Sequence, residues 1–220
     1  MTAEKGCINW LAIGFSCIVH LLFLIPAVYI VVLCAQLDYS LFIWHPACFT
    51  VGCCFLMTEA VLGVSGEAVL VKLMSRPGRI RLHWVLHILG LGLLAVGLGT
   101  VVANKMNHGS HHFKSDHARV GLAGPILSVI VTLNGVLCLN TEACFGKVSL
   151  VARKVIHSCL GIITMALLLA GQITGVYKGW WPGTETGRDL TVAAYIAGGV
   201  LLCAKPLYTT LLRMRTAICS

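Results

Sequence analysis

The sequence predicts an all-α membrane protein with six transmembrane helices. Of its 220 residues, 58% are hydrophobic and only 11% are charged, and the mean hydropathy is +0.89. A soluble domain normally has about a quarter of its residues charged, so we expect lipid to contact most of this chain. The hydrophobic residues fall into six separate stretches, which predicts one membrane-spanning bundle.

Each stretch has the length of a membrane-spanning helix. About 20 to 25 residues cross a hydrocarbon layer of about 30 Å at about 1.5 Å per residue. Backbone in lipid must satisfy its own hydrogen bonds, which favours helices. We expect residues 1–220 to form a single transmembrane domain, with a turn at Ser75–Arg79. The predicted spans are approximately 9–33, 45–66, 82–103, 118–140, 157–177 and 191–212.

The net charge of +8 is distributed between the apolar stretches, so it predicts an orientation in the membrane and no nucleic-acid partner. Six spans place both termini on one side, which holds ten Lys/Arg residues: Lys5, Lys72, Arg76, Arg79, Arg81, Lys147, Arg153, Lys154, Arg213 and Arg215. The opposite side holds five: Lys105, Lys114, Arg119, Lys178 and Arg188. The positive-inside rule therefore predicts that both termini are cytosolic.

Four histidines recur at the starts of consecutive predicted spans. His45, His83, His117 and His157 open the second to fifth spans, at intervals of 38, 34 and 40 residues. Each interval is one span plus one loop, so successive histidines enter from alternate faces. His45 and His117 should share one depth, and His83 and His157 another, about 20 Å away.

Two histidine pairs at two depths suit two stacked haems b within a four-helix core. Ionisable residues inside a span indicate a functional site, and bundle cofactor sites are built from side chains on facing helices. Two axial histidines fill the coordination of haem iron, so we expect one-electron transfer. Without a CxxCH motif, the haems should be bound non-covalently.

Other ionisable residues near the spans are open to more than one interpretation. His87 lies one turn beyond His83 and either lines the haem pocket or competes as a ligand. We expect His20 to be a hydrogen-bonded residue of the bundle. Glu59 either pairs within the bundle, which we expect, or takes part in proton movement. His108, His111 and His112 lie in the non-cytosolic loop and are either merely solvated or bind an electron acceptor.

Two other functions remain open at this point. A proton or metal-ion transporter could use the histidines as a relay, but it should show polar residues or broken helices at mid-membrane. The span centres are instead mostly Leu, Val, Gly and Ala. A non-catalytic scaffold would leave the matched histidines without a purpose.

The chain resembles the cytochrome b561 family along nearly its whole length. Three stretches carry the resemblance: Ser40–Pro46 (SLFIWHP), Phe55–Ala60 (FLMTEA) and His83–Leu86 (HWVL). The family has six helices, with four haem-ligating histidines on the central four. Those ligands correspond to His45, His83, His117 and His157, the set that the spacing singles out.

The resemblance implies an ascorbate-dependent transmembrane reductase. Cytosolic ascorbate would give one electron, and monodehydroascorbate or a ferric chelate would receive it on the other side. Well-known members have an ascorbate-contacting lysine two residues before the third-helix histidine, where this chain has Arg81. Arg153 and Lys154 could complete that cationic site. The resemblance also implies the endoplasmic reticulum or an endomembrane vesicle, and it leaves a homodimer open.

Overall fold

The computed structural model describes residues 10–65, 71, 73–139 and 149–218. Lys5, Lys72 and Lys147, which contribute to the charge count, lie outside the described residues. Six helical segments are long and apolar enough to span a membrane, as the sequence predicts. Five are single helices: α1 (Trp10–Ala35), α4 (Arg76–Asn107), α5 (Asp116–Leu139), α6 (Leu150–Val176) and α7 (Glu185–Ile218).

The second span is composite. It runs from a 3₁₀ turn at Leu41–Ile43 through α2 (Trp44–Phe49) and a π-helical segment at Thr50–Met57 into α3 (Thr58–Ser65). We call Leu41–Ser65 span 2. A π-helix is unusual at this length, and π-helical turns are frequent at functional sites. The predicted uniform helix over 45–66 is therefore wrong in its internal geometry, although span 2 crosses where expected.

Several helices extend beyond their apolar stretches. The predicted turn at Ser75–Arg79 is wrong, because Ser75 caps α4 by accepting a hydrogen bond from the backbone nitrogen of Gly78 (3.3 Å). Pro77 occupies the first turn, where its missing N–H costs nothing. His83 therefore lies about two turns inside α4. His157 lies equally deep in α6, where Ser149 is the cap.

The bundle is assembled from two closely packed helix pairs with α1 and α7 beside them. Span 2 packs along α4, and α5 packs along α6. Phe23 of α1 and Tyr195 of α7 stack within the core, with ring centroids 6.2 Å apart, and both are buried. Large apolar side chains such as Ile25 and Leu133 point outward, as lipid-facing residues do.

Glycines permit the close approach of span 2 to α4. A Cβ atom on Gly90 would lie 2.9 Å from Met57 Cγ and 3.0 Å from the carbonyl oxygen of Gly52. A Cβ atom on Gly97 would lie 2.8 Å from the ring of Phe49. Gly90 and Gly97 of α4 thus form a packing surface, whereas a Cβ atom on Gly92 or Gly99 would meet nothing within 4 Å. The close approach at Gly90 and Gly97 brings His45 and His83 against the facing helix.

Candidate functional site

The structure brings the four histidines together as two pairs. The ring centroids of His45 and His117 are 6.1 Å apart, with an angle of 81° between the ring planes. Those of His83 and His157 are 6.3 Å apart, with an angle of 74°. We call them the upper pair (His45–His117) and the lower pair (His83–His157). The lower pair lies on the side where α1 begins and α7 ends.

Three of the four rings are held through Nδ1. The Nδ1–H group of His45 donates to the carbonyl oxygen of Gly97 (3.0 Å), and that of His83 to the carbonyl oxygen of Ala60 (3.0 Å). A carbonyl only accepts, so Nδ1 carries the proton and Nε2 keeps its lone pair. His117 Nδ1 lies 3.2 Å from the hydroxyl of Thr174, which donates to Ala170.

The two pairs are built by reciprocal contacts. His45 of span 2 donates to a carbonyl oxygen of α4, and His83 of α4 donates to a carbonyl oxygen of span 2. Between α5 and α6, a glycine of each helix contacts the paired histidine of the other. A Cβ atom on Gly175 would lie 3.1 Å from His117 Cε1, and one on Gly135 would lie 3.1 Å from His157 Cε1. The upper and lower pairs are therefore held by the same kinds of contact, at opposite ends of antiparallel helices.

These distances fit one metal ion between each pair of rings. A metal–nitrogen bond of about 2 Å, with about 1.1 Å from nitrogen to ring centre, places two axial imidazoles about 6 Å apart, centre to centre. Hydrogen bonds from the second ring nitrogen to backbone carbonyls are typical of metal-bound histidine. The residues present therefore fit haem iron with two histidine ligands.

A cavity of about 390 Å³ lies beside the upper pair. Its walls are mostly apolar and include Phe49, Leu98 and Leu168, with Gly121 and Gly171 leaving open wall. Flat surfaces without side chains suit a planar macrocycle. The polar and cationic residues of its lining include Lys105, His112, Ser115, Lys178 and Trp180.

His87 lies against the lower pair. Its ring centroid is 4.6 Å from that of His83, and the rings meet at 76°. His83 faces His157 with ring centroids 6.3 Å apart, and its Nδ1–H group donates to the carbonyl oxygen of Ala60. This geometry favours His83 as the ligand and His87 as a residue that lines the pocket.

The cationic residues expected near the lower pair differ in placement. Arg81 is exposed, and Lys154 is half-buried. Arg153 is buried, and its Nη1 donates to the carbonyl oxygen of Leu137 at the end of α5 (3.2 Å). Arg79, which the sequence analysis did not single out, lies one turn before His83 as Arg153 does before His157.

The loop histidines do not act as one group in this structure. His112 lines the cavity, whereas His108 and His111 are exposed. His108 Nδ1 donates to the carbonyl oxygen of Asn104 (2.7 Å), and the carbonyl of His111 accepts from Lys105 (3.0 Å). Lys105 and Lys178 also line the cavity, although the charge pattern predicted only that they help to set the orientation. The available signal was that both follow the ends of predicted spans on the side of His45 and His117.

His20 and Glu59 lie outside the two histidine pairs and contact each other. His20 Nδ1 is 2.5 Å from Glu59 Oε1, and both side chains are 28% exposed. This confirms the prediction that each is a hydrogen-bonded bundle residue.

Comparison with known proteins places these features in one family. The sequence profile of eukaryotic cytochrome b561 matches residues 44–182, which contain all four paired histidines. The mouse and human proteins named transmembrane reductase CYB561D2 are each 33% identical over 213 residues, covering 97% of this chain and 86% of the relative. The mouse protein named probable transmembrane reductase CYB561D1 is 30% identical over 214 residues, covering 96% and 87%. The chain belongs to the eukaryotic cytochrome b561 family.

Proposed function

We propose that this chain is a transmembrane reductase that binds two haems b and moves electrons from cytosolic ascorbate to monodehydroascorbate or a ferric chelate across the membrane. The observation that carries the proposal is the presence of two histidine pairs on four different helical segments. The ring centroids are 6.1 Å apart in the upper pair and 6.3 Å apart in the lower pair. The names of the CYB561D2 and CYB561D1 relatives support the reductase activity.

The four paired histidines would be the axial ligands. Haem b with two axial histidines supplies one-electron transfer and has no open coordination position for oxygen chemistry. Gly97 and Ala60 orient the rings of His45 and His83 through their carbonyl groups. Fixed ring orientation and raised ligand basicity are what such outer contacts provide.

The side that holds the lower pair would face the cytosol and receive ascorbate. Ascorbate is a monoanion near neutral pH, so exposed cations at the helix ends should attract it. Arg81 is exposed two residues before His83, and its guanidinium can reach water from the membrane interface. Lys154 would add charge beside it. The inward Arg153 would act mainly by tying α6 to the end of α5.

The cationic part of the cavity near the upper pair would receive the electron acceptor. Monodehydroascorbate and ferric chelates with carboxylate ligands are anionic, and Lys105 and Lys178 give the cavity lining its positive charge. His112 also lines the cavity and would contact a bound acceptor directly. His108 and His111 would contribute only from the loop surface. We place the chain in the endoplasmic reticulum or an endomembrane vesicle, with both termini cytosolic.

A haem count with a reduced-minus-oxidised spectrum tests this function. The purified, detergent-solubilised chain should give a b-type spectrum and two haems per polypeptide by pyridine haemochrome assay. Ascorbate should reduce both haems. A chain that binds no haem after reconstitution, or one haem only, would contradict the proposal.

A further inference from the structure

We propose that His20 and Glu59 form a proton-binding site within the membrane, which takes up one proton when an electron enters the neighbouring lower pair site. The inference rests on the proposed electron-transfer function and extends it to a coupled proton. The ligand is therefore a proton, and the site is the contact between α1 and α3.

The contact has the features of a shared proton. His20 Nδ1 and Glu59 Oε1 are 2.5 Å apart across two helices, so at least one proton must lie between these two acceptor atoms. Separate charges would be costly at this depth in lipid. A pair that holds one proton is neutral overall, whichever partner carries it. A second proton makes the pair singly positive.

Glu59 is unusual among the acidic residues of the spans. In the described parts of the six spans, Asp116 and Glu185 lie in the first turns of α5 and α7, and Asp189 lies one turn further into α7. Glu59 lies in the first turn of α3, which continues the π-helical segment, so it is inside span 2 and not at its end. Elsewhere in the bundle a neutral pair links two helices, since the Thr210 hydroxyl of α7 donates to that of Ser158 of α6.

The chain connects this pair to the lower site. Glu59 is followed by Ala60, whose carbonyl oxygen accepts the Nδ1–H hydrogen bond of His83 (3.0 Å). The carboxyl group and the peptide that orients the ring thus belong to one helical turn. The Glu59 carboxyl is hydrogen-bonded to His20 and acts on His83 only through this turn, so it can change charge without displacing a ligand.

In the described residues, three elements contribute titratable or charged groups to this end of the bundle. Helix α1 contributes His20, which contacts Glu59, and α4 contributes His83 and His87. Helix α7 contributes Lys205, whose Nζ donates to the carbonyl oxygen of Ser65 at the end of α3 (3.0 Å). Among these described residues, the groups other than Glu59 are basic. An added electron is therefore the event that favours a second proton on the pair, because opposite charges attract strongly in a low-dielectric region.

The coupled step balances in charge and atoms. Ascorbate monoanion loses one electron and one proton when it becomes the monodehydroascorbate radical anion. The electron enters the lower site, and the His20–Glu59 pair binds one proton from the cytosolic side. The summed charge of the lower-pair site and the His20–Glu59 pair then stays constant. When the electron leaves for the upper site, the proton is released.

Redox titration at several pH values tests the coupling in the purified two-haem protein. Wild type should show a lower-site midpoint potential that falls with rising pH, approaching about 59 mV per pH unit for one proton per electron. Glu59→Gln and His20→Gln should flatten this dependence for the lower site alone. Ser128→Ala is the matched control, since its hydroxyl bonds within α5 to Gly124, and it should titrate as wild type.

A second measurement, made first on wild type, protects the test against misfolded variants. Redox-difference infrared spectra of wild type should contain a carboxyl C=O band that shifts in D₂O and is absent from Glu59→Gln. A wild-type potential independent of pH, or an equal slope in wild type and both variants, overturns the proposal and leaves the reductase function standing. Failure of wild type to bind haem overturns both.

Discussion

At the level of single residues, the paired histidines differ from His87 and His20 in the placement of their rings. Each paired ring faces a partner about 6 Å away across the bundle. His87 faces the edge of His83 at 4.6 Å, and His20 contacts a carboxylate. The number of histidines alone cannot define ligands, because a ligand needs a partner at the right distance.

The pairing predicts which variants lose the same haem. His83→Ala and His157→Ala should each remove the lower spectral component, and His45→Ala and His117→Ala the upper one, because an axial ligand is lost in each case. Low-temperature difference spectra of the purified variants measure the components. His87→Ala is the control and should shift the spectrum without removing a haem. Loss of the same component in His45→Ala and His83→Ala would contradict the pairing.

Arg81 should act in donor binding. Arg81→Ala removes a charge-assisted contact of about 1.5–3 kcal/mol, so reduction at low ascorbate should slow by roughly one to two orders of magnitude. Arg81→Lys keeps the charge and loses the planar fork, so its effect should be smaller. Stopped-flow reduction over a range of ascorbate concentrations measures both, and both haems should be retained. An unchanged rate in Arg81→Ala would move the donor site towards Lys154.

At the level of helices, glycines on α5 and α6 set how closely the rings approach the backbone. Gly175 and Gly135 each face the Cε1 atom of the histidine on the opposite helix. Gly161 lies on the same helix as Gly175, and a Cβ atom there would meet nothing within 4 Å. The chain therefore offers a test glycine and a control glycine on one helix.

Gly175→Ala should weaken haem retention at the upper site. The new Cβ atom would crowd the His117 ring at 3.1 Å, and overpacking of this kind costs about 1–3 kcal/mol. That corresponds to roughly 5- to 150-fold weaker binding. Haem transfer to apomyoglobin measures the loss, with Gly161→Ala expected to behave as wild type. Equal haem loss in the two variants would show that the contact is not selective.

The sequence predicts six helices and the histidine pairing because lipid imposes length and helix alternation imposes depth. It does not predict the π-helical segment at Thr50–Met57, since hydropathy carries no information on whether a backbone turn closes at i+4 or i+5. Hydropathy also does not predict where the helices end, because they extend beyond the apolar stretches. The charged first turns of α4, which include Arg76 and Arg79, are helical although their residues are not apolar.

At the level of the whole molecule, the two sites are related by reciprocal contacts between antiparallel helices. Span 2 and α4 exchange histidine–carbonyl hydrogen bonds, and α5 and α6 exchange glycine–histidine contacts. The two ends of the core thus share ligand geometry and differ in their surroundings. Lys105, Lys178 and His112 surround one end, whereas Arg81, Lys154 and the His20–Glu59 pair lie towards the other. The direction of the proposed electron transfer must therefore be set by these surroundings.

The charge asymmetry predicts the orientation of the molecule in its membrane. Ten Lys/Arg residues on the terminal side against five on the opposite side should hold both termini in the cytosol. In intact microsomes, protease should remove epitope tags from both ends. A tag inserted at Ser110, in the exposed loop after α4, should be cut only after detergent permeabilises the membrane. Protected terminal tags would place the lower pair, Arg81 and the proposed ascorbate site on the lumenal side, where a cytosolic donor cannot reach them.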